Sequence, residues 1–179
     1  MPDHHLPDAL RNQIARSRIA IALATCDGDM PLCLVNDGFC RMTGYDAAEV
    51  QGRNCRFLQG PDTPPDQVRD MGLFLADDAR DEGRFPVLNY ARDGRRFTNL
   101  VFMSKLRDET GRLRFVIASQ FDVTAAAAAG TLAQDDATLG RNMSDLRRAA
   151  GQFGLIMADS TELIARSIST LARISLRDE

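Results

Sequence analysis

From Pro7 to Arg18 the apolar residues Leu10 and Ile14 fall four apart behind an early proline, the period of a short amphipathic helix. That helix is an expected N-terminal cap, residues 1–18. The period then changes. IAIALAT at 19–25 is a continuous apolar run and LCLVN at 32–36 is another, and the intervening CDGDMP has turn chemistry, which predicts a two-stranded hairpin. Between Asp37 and about Leu75, short apolar runs are broken by Gly, Pro, Asp and Asn, a pattern that favours several brief helices over strands. Three β-rich segments follow, RFPVLNYA, RRFTNLVFMSKLR and RFVIASQFDVT, with turns at Arg92-Asp93-Gly94 and Asp108-Glu109-Thr110-Gly111. They predict three antiparallel strands that complete an α+β domain over residues 19–124.

After Thr124 the run AAAAAG opens a different composition. Apolar or small residues then recur at alternating spacings of four and three from Leu139 through Met143, Leu146, Phe153, Met157 and Ile164 to Ile174, the seam of a coiled coil or bundle helix. Gly140, Gly151 and Gly154 weaken one long helix, and Asp159 followed by Glu162 has the form of a capping box, so helix, break, helix is expected over 125–179. Such a seam suits a homodimer, a downstream protein partner, or the exposed side of the sheet.

Charge and cysteine usage narrow the chemistry. A net charge of −3 supplies no broad basic field, and the tail carries six Arg against seven acidic residues, so nucleic acid and anionic membranes are not expected partners. The beginning of the chain lacks a basic and apolar leader, and no stretch is apolar enough to span a bilayer, which predicts a soluble, cytoplasmic protein. Cys26, Cys33, Cys40 and Cys55 form no CxxC pair and only His4 and His5 accompany them, so no metal site is expected. With no His after residue 5, the tail is not a phosphoacceptor helix, and no ATP-binding motif appears; an enzyme is not expected.

One thiol stands apart from the other three. Gly52-Arg53-Asn54-Cys55-Arg56-Phe57-Leu58-Gln59-Gly60 stops at Gly-Pro after about one and a half helical turns. On such a helix Leu58 and Gln59, three and four residues beyond Cys55, share its face, while Arg56 points elsewhere as a fork for phosphate. Asn89, Asn99 and Gln120 each sit among apolar neighbours in a predicted strand. Amides buried there need partners, and the pyrimidine edge of an isoalloxazine ring, which alternates acceptors with a donor, would match them. The remaining cysteines read as small buried hydrophobes.

GRNCRFLQG closely resembles the signature of light-oxygen-voltage (LOV) domains, the flavin-binding branch of the PAS superfamily. The likeness extends from Ile19 to Thr124 through NDGF, MTGY, LNYARDG, FTNL and SQFDVT. It implies a PAS fold with a five-stranded antiparallel sheet, FMN as chromophore, no turnover in this domain, and a blue-light reaction in which the Cys55 sulfur bonds reversibly to flavin C4a as N5 gains a proton. By position, the resemblance gives Asn54 and Gln59 to the ribityl chain and Arg56 to the phosphate. Leu58, Val68, Met71 and Leu75 would pack against the ring, with Val87, Val101, Met103 and Val116 on the opposite sheet face. Asn89 and Asn99 would bond the pyrimidine edge, and Gln120 would lie near O4 and N5 and relay the signal.

The chain departs from the family pattern at several positions. Gly72 stands where many members carry a second phosphate-binding Arg, leaving Arg69 as a candidate substitute; Ala118 and Val116 replace a common Gly and Phe, and the stretch between Leu75 and Asn89 is two residues longer. The expected function is a blue-light photoreceptor whose output is altered packing of flanking helices, with light-dependent homodimerisation or binding of a downstream protein. A flavin-based redox sensor and a cofactor-free PAS interaction module are the alternatives.

Overall fold

The computed structural model describes residue 6 and residues 8–125. The tail seam and the expected helix, break, helix lie outside them. Helix α1 (Asp8–Arg16) is followed by strands β1 (Ala20–Thr25) and β2 (Leu32–Val35), helices α2 (Asp37–Thr43) and α3 (Ala47–Val50), a 3-10 helix at Cys55–Leu58, and helix α4 (Pro65–Ala76). Strands β3 (Glu82–Tyr90), β4 (Arg96–Arg107) and β5 (Leu113–Asp122) close the domain. The five strands form one antiparallel sheet in the order β2-β1-β5-β4-β3, so the last strand lies at the centre and β2 and β3 at the edges. The expected architecture is the observed one.

Strand alternation divides the side chains between two faces. On the outer face Leu6, Leu10 and Ile14 pack on Ile21, Leu23, Leu106, Phe115 and Ile117, so α1 covers the sheet where β1 and β5 pair. Its helix-period apolar stripe is the half of this contact that the chain supplies locally. Phe85, Val87, Val101, Met103 and Ala118 take the inner face with Met71, Phe74 and Leu75 of α4. A third cluster, Ala20, Ala22, Leu32, Phe39, Val50 and Leu58, joins the hairpin to the helical segment.

Two polar residues hold these layers in place. Asn36, 4% exposed, caps α2 by accepting from Phe39 N–H (3.0 Å) and also accepts from Ile21 N–H (2.9 Å). Its Nδ2 donates to the carbonyls of Ile14 (3.1 Å), Ser17 (3.1 Å) and Ile19 (2.8 Å), so one side chain ties the exit of α1 to β1 and α2. Lys105, the only lysine of the chain, is 1% exposed. Its Nζ donates to the carbonyls of Phe74 (2.9 Å) and Asp77 (2.7 Å) and sits 4.8 Å from the Phe74 ring centre, where a cation at the C-terminus of α4 is favoured by the helix dipole. The longer connection from α4 to β3 is tied to β4 by Arg107, which pairs with Asp81 at 3.0 Å and Asp78 at 3.3 Å.

Candidate functional site

A slot of about 350 Å³ separates α4 and the 3-10 helix from the inner face of the sheet. That size lies at the small-molecule end of ligand pockets. Val68, Met71, Gly72 and Leu75 supply one wall, and Val87, Val101, Met103, Val116 and Ala118 the other. Helix period on one side and strand period on the other turn these side chains toward each other. The result is a flat apolar gap.

The 3-10 helix sets the polar end. Asn54 caps it by accepting from Arg56 N–H at 2.9 Å, and its Nδ2 donates to the Asp29 carbonyl, which pins the helix to the β1–β2 turn. Cys55 is among the residues that line the slot. Burial pushes its thiol up to about 12, so it keeps its proton at neutral pH. Gln59 is already extended at the C-terminus of the helix and lines the slot. At Gly60 the chain passes so close to Tyr90 that a Cβ would lie 2.4 Å from its ring, so only glycine lets the motif end there.

Leu58 is placed differently from the expectation. It packs 1% exposed in the cluster with Phe39 and Val50 and does not line the slot. Arg69 also departs: it is exposed on α4 and lies outside the lining, because the helical period that turns Val68 and Gly72 inward turns residue 69 outward. Nor does Arg56 stand alone. At the mouth it pairs with Asp29 at 2.6 Å, and both side chains are mostly exposed. Sequence reasoning missed Asp29, Gly28, Met30, Ala22, Ala24 and Leu32 as lining residues. The period-two spacing of Ala22 and Ala24 was a readable sign; the Asp29 contact depends on a turn meeting a distant helix.

The three amides converge from adjacent strands. Asn89, Asn99 and Gln120 are 3%, 1% and 3% exposed, and all line the slot. Asn99 Nδ2 donates to Asn89 Oδ1 at 2.9 Å and to Gln120 Oε1 at 2.8 Å. Asn99 Oδ1 and Gln120 Nε2 are buried without a protein partner. A buried acceptor and a buried donor left unpaired cost free energy, so this end of the slot is built for a ligand that offers a donor beside an acceptor. Among the described residues no His, Cys, Asp and Glu cluster could hold a metal, and no helix is long and apolar enough to cross a membrane.

The model of the PAS domain family matches residues 19–125. A LOV domain from the blue-light-activated histidine kinase EL346 of Erythrobacter litoralis has 34% sequence identity and a TM-score of 0.57, over 61% of this chain and 99% of that domain. The chain belongs to the LOV branch of the PAS family. A further LOV structure, solved in work on a flavin analogue, is 32% identical with a TM-score of 0.60, over 70% of this chain and 91% of that one. A blue-light-activated histidine kinase of Rhizobium johnstonii is 38% identical over 62% of this chain. The LOV chain spans about a third, 32%, of that kinase.

Proposed function

We propose that this LOV domain is a blue-light photoreceptor that holds FMN in the slot and forms a reversible bond between the flavin and Cys55. The observation that carries the reading is the pair of unpartnered buried atoms, Asn99 Oδ1 and Gln120 Nε2. The pyrimidine edge of a flavin presents an N–H next to a carbonyl, which fits that donor and acceptor, while the flat apolar gap fits the tricyclic ring. Asn54 and Gln59 would hold the ribityl chain and Arg56 the phosphate. A bound flavin would supply blue-light absorption and an electrophilic ring carbon, toward which Cys55 would bring its sulfur and its proton.

The residues of the chain do the rest. Burial keeps Cys55 protonated, so sulfur and proton arrive together without a separate base. Gln120, whose Nε2 lacks a protein partner at the polar end of the slot, would turn its amide over where a ligand acceptor beside it became a donor. No turnover is assigned to this domain. Its output is a change in the packing of the flanking helices, read by a second copy of the chain or by a downstream protein. The apolar face of α1 on the outer sheet and the seam spacing of the tail sequence support that output.

The test is the absorption of the flavin-loaded protein before and after a blue pulse, followed through dark recovery. The flavin band is expected to bleach and return in the native chain, and to stay fully present in Cys55→Ala. Full reversible bleaching in that variant would refute the mechanism. A bound flavin that responds only to reduction would instead support a redox sensor, and failure to take up any flavin a cofactor-free interaction module.

A further inference from the structure

Two charged groups line the slot, and they already hold each other. Among the described residues of the lining only Asp29 and Arg56 are charged, and Arg56 Nη2 donates to Asp29 Oδ1 at 2.6 Å. A guanidinium fork binds carboxylate and phosphate by the same geometry, so the Asp29 carboxylate occupies the group that a phosphate would use. The backbone of Asp29 is engaged as well, since its carbonyl accepts from Asn54 Nδ2. One residue of the β1–β2 turn therefore touches both Asn54 and Arg56, the side chains given above to the ribityl chain and the phosphate.

The turn keeps Asp29 in that place. It lies between Gly28 and Met30, both at φ 52, and Met30 is the one non-glycine residue with positive φ among those described. A side chain disfavours that region, yet Met30 N–H closes the turn on the Asp27 carbonyl at 3.0 Å. No further cation of the lining balances the carboxylate. Arg69 is exposed outside the lining, and Gly72 leaves open space where a side chain would stand. The mouth is neutral before any ligand arrives.

Resting on the photoreceptor reading, which names the ligand, we infer that Asp29 is a specificity-determining residue of the slot. It competes for the one guanidinium that a flavin phosphate needs, so the chain selects flavins by ring and ribityl chain and takes riboflavin nearly as readily as FMN. A phosphate monoester carries a charge of about −1.5 to −2 at neutral pH. It must share Arg56 with the carboxylate, or displace that carboxylate and leave it beside a like charge. Both side chains are mostly exposed, where water and salt weaken every such contact, and the FMN preference left over is about fivefold or less.

Fluorescence titration of the flavin-free full chain with FMN and with riboflavin, in the dark, reads the ratio of the two affinities. Asp29→Asn keeps the size of the side chain and the backbone carbonyl that Asn54 uses, and should raise the FMN preference by about 3–10-fold, an increase that shrinks as salt is added. Arg56→Gln should turn the preference toward riboflavin, because the carboxylate then repels the phosphate unopposed, and adding Asp29→Asn to that variant should cancel it. A native preference for FMN above about 50-fold, a ratio unchanged by Asp29→Asn, or an FMN preference that survives Arg56→Gln would overturn the role of Asp29. Each of those results leaves the photoreceptor reading standing, since flavin is bound in all of them. A chain that takes up neither flavin would remove that reading, and the role of Asp29 with it.

Discussion

Replacing Asn36 by alanine should cost more than any surface change and should release α1. Five hydrogen bonds meet at this side chain, and three of them, from Ile21 N–H, from Phe39 N–H and to the Ile14 carbonyl, join buried groups. The contacts to Ser17 and Ile19 are only part-buried, so water can replace Nδ2 there. Counting about 1 kcal/mol for each buried bond lost gives about 3 kcal/mol, a large share of the ~5–15 kcal/mol that holds a typical domain. With an m-value of about 1.5 kcal/mol per molar urea, the midpoint should fall by about 2 M. Urea titration followed by circular dichroism measures it. Asn36→Ser, which can still cap Phe39 N–H from a shorter side chain, should recover about 1 kcal/mol of the loss. Amide exchange should rise first in residues 8–16, since the tether from Ile14 is gone while the sheet ladder remains. A midpoint shift below about 0.5 M would show that water repairs the site, and would refute this accounting.

Two further changes probe the slot. Gly72 lines its wall, a Cβ there would meet nothing within 4 Å, and glycine is a poor residue inside α4. Gly72→Arg should therefore stabilise the fold by roughly 0.5–1 kcal/mol and tighten FMN by about 2–5-fold while leaving riboflavin unchanged; equal effects on the two flavins in a titration would contradict a phosphate contact. Alkaline stability follows from the thiols. Burial pushes Cys26 and Cys33 up to about 11 and Cys55 up to about 12, against an ordinary value of 9.0. The unfolded chain gives up these protons first, so the contribution is complete below pH about 9 and is lost as pH rises toward the folded values, at up to ~1.4 kcal/mol per pH unit for each thiol still protonated, less at the part-exposed Cys26 and Cys33. Urea midpoints should fall between about pH 9 and 10, with a shallower slope in Cys55→Ala; a flat profile would remove the thiols as the cause.

Much of this molecule was legible because local rules and global fold agree in it. Continuous apolar runs placed the first two strands and β-rich segments the other three, and the Gly94 and Gly111 turns, both with positive φ, closed the hairpins where the turn residues put them. The three inward amides were readable because a polar residue in an apolar strand needs a reason. What escaped were contacts that one stretch of chain does not contain. Asp29 holds Arg56 across 27 positions, and Asn36 gathers acceptors as far back as Ile14. Leu58 packs into the core against Phe39 and Val50, residues from two separate helices that the motif itself does not contain. Lysine is among the residues least expected inside, and only the exit of α4 explains Lys105.

That buried lysine makes the protein unusual toward acylating reagents. With a single lysine in the whole chain and its amine enclosed by two carbonyls and a phenyl ring, the folded domain presents no accessible side-chain amine. Apart from the α-amino group, reagents that modify ordinary proteins at many surface lysines have one internal amine as target here, enclosed between α4 and the sheet. The rate of acylation at Lys105 is therefore a chemical clock for the opening of that enclosure, and comparing it in darkness and under illumination would time the loosening of the α4 wall without any added label.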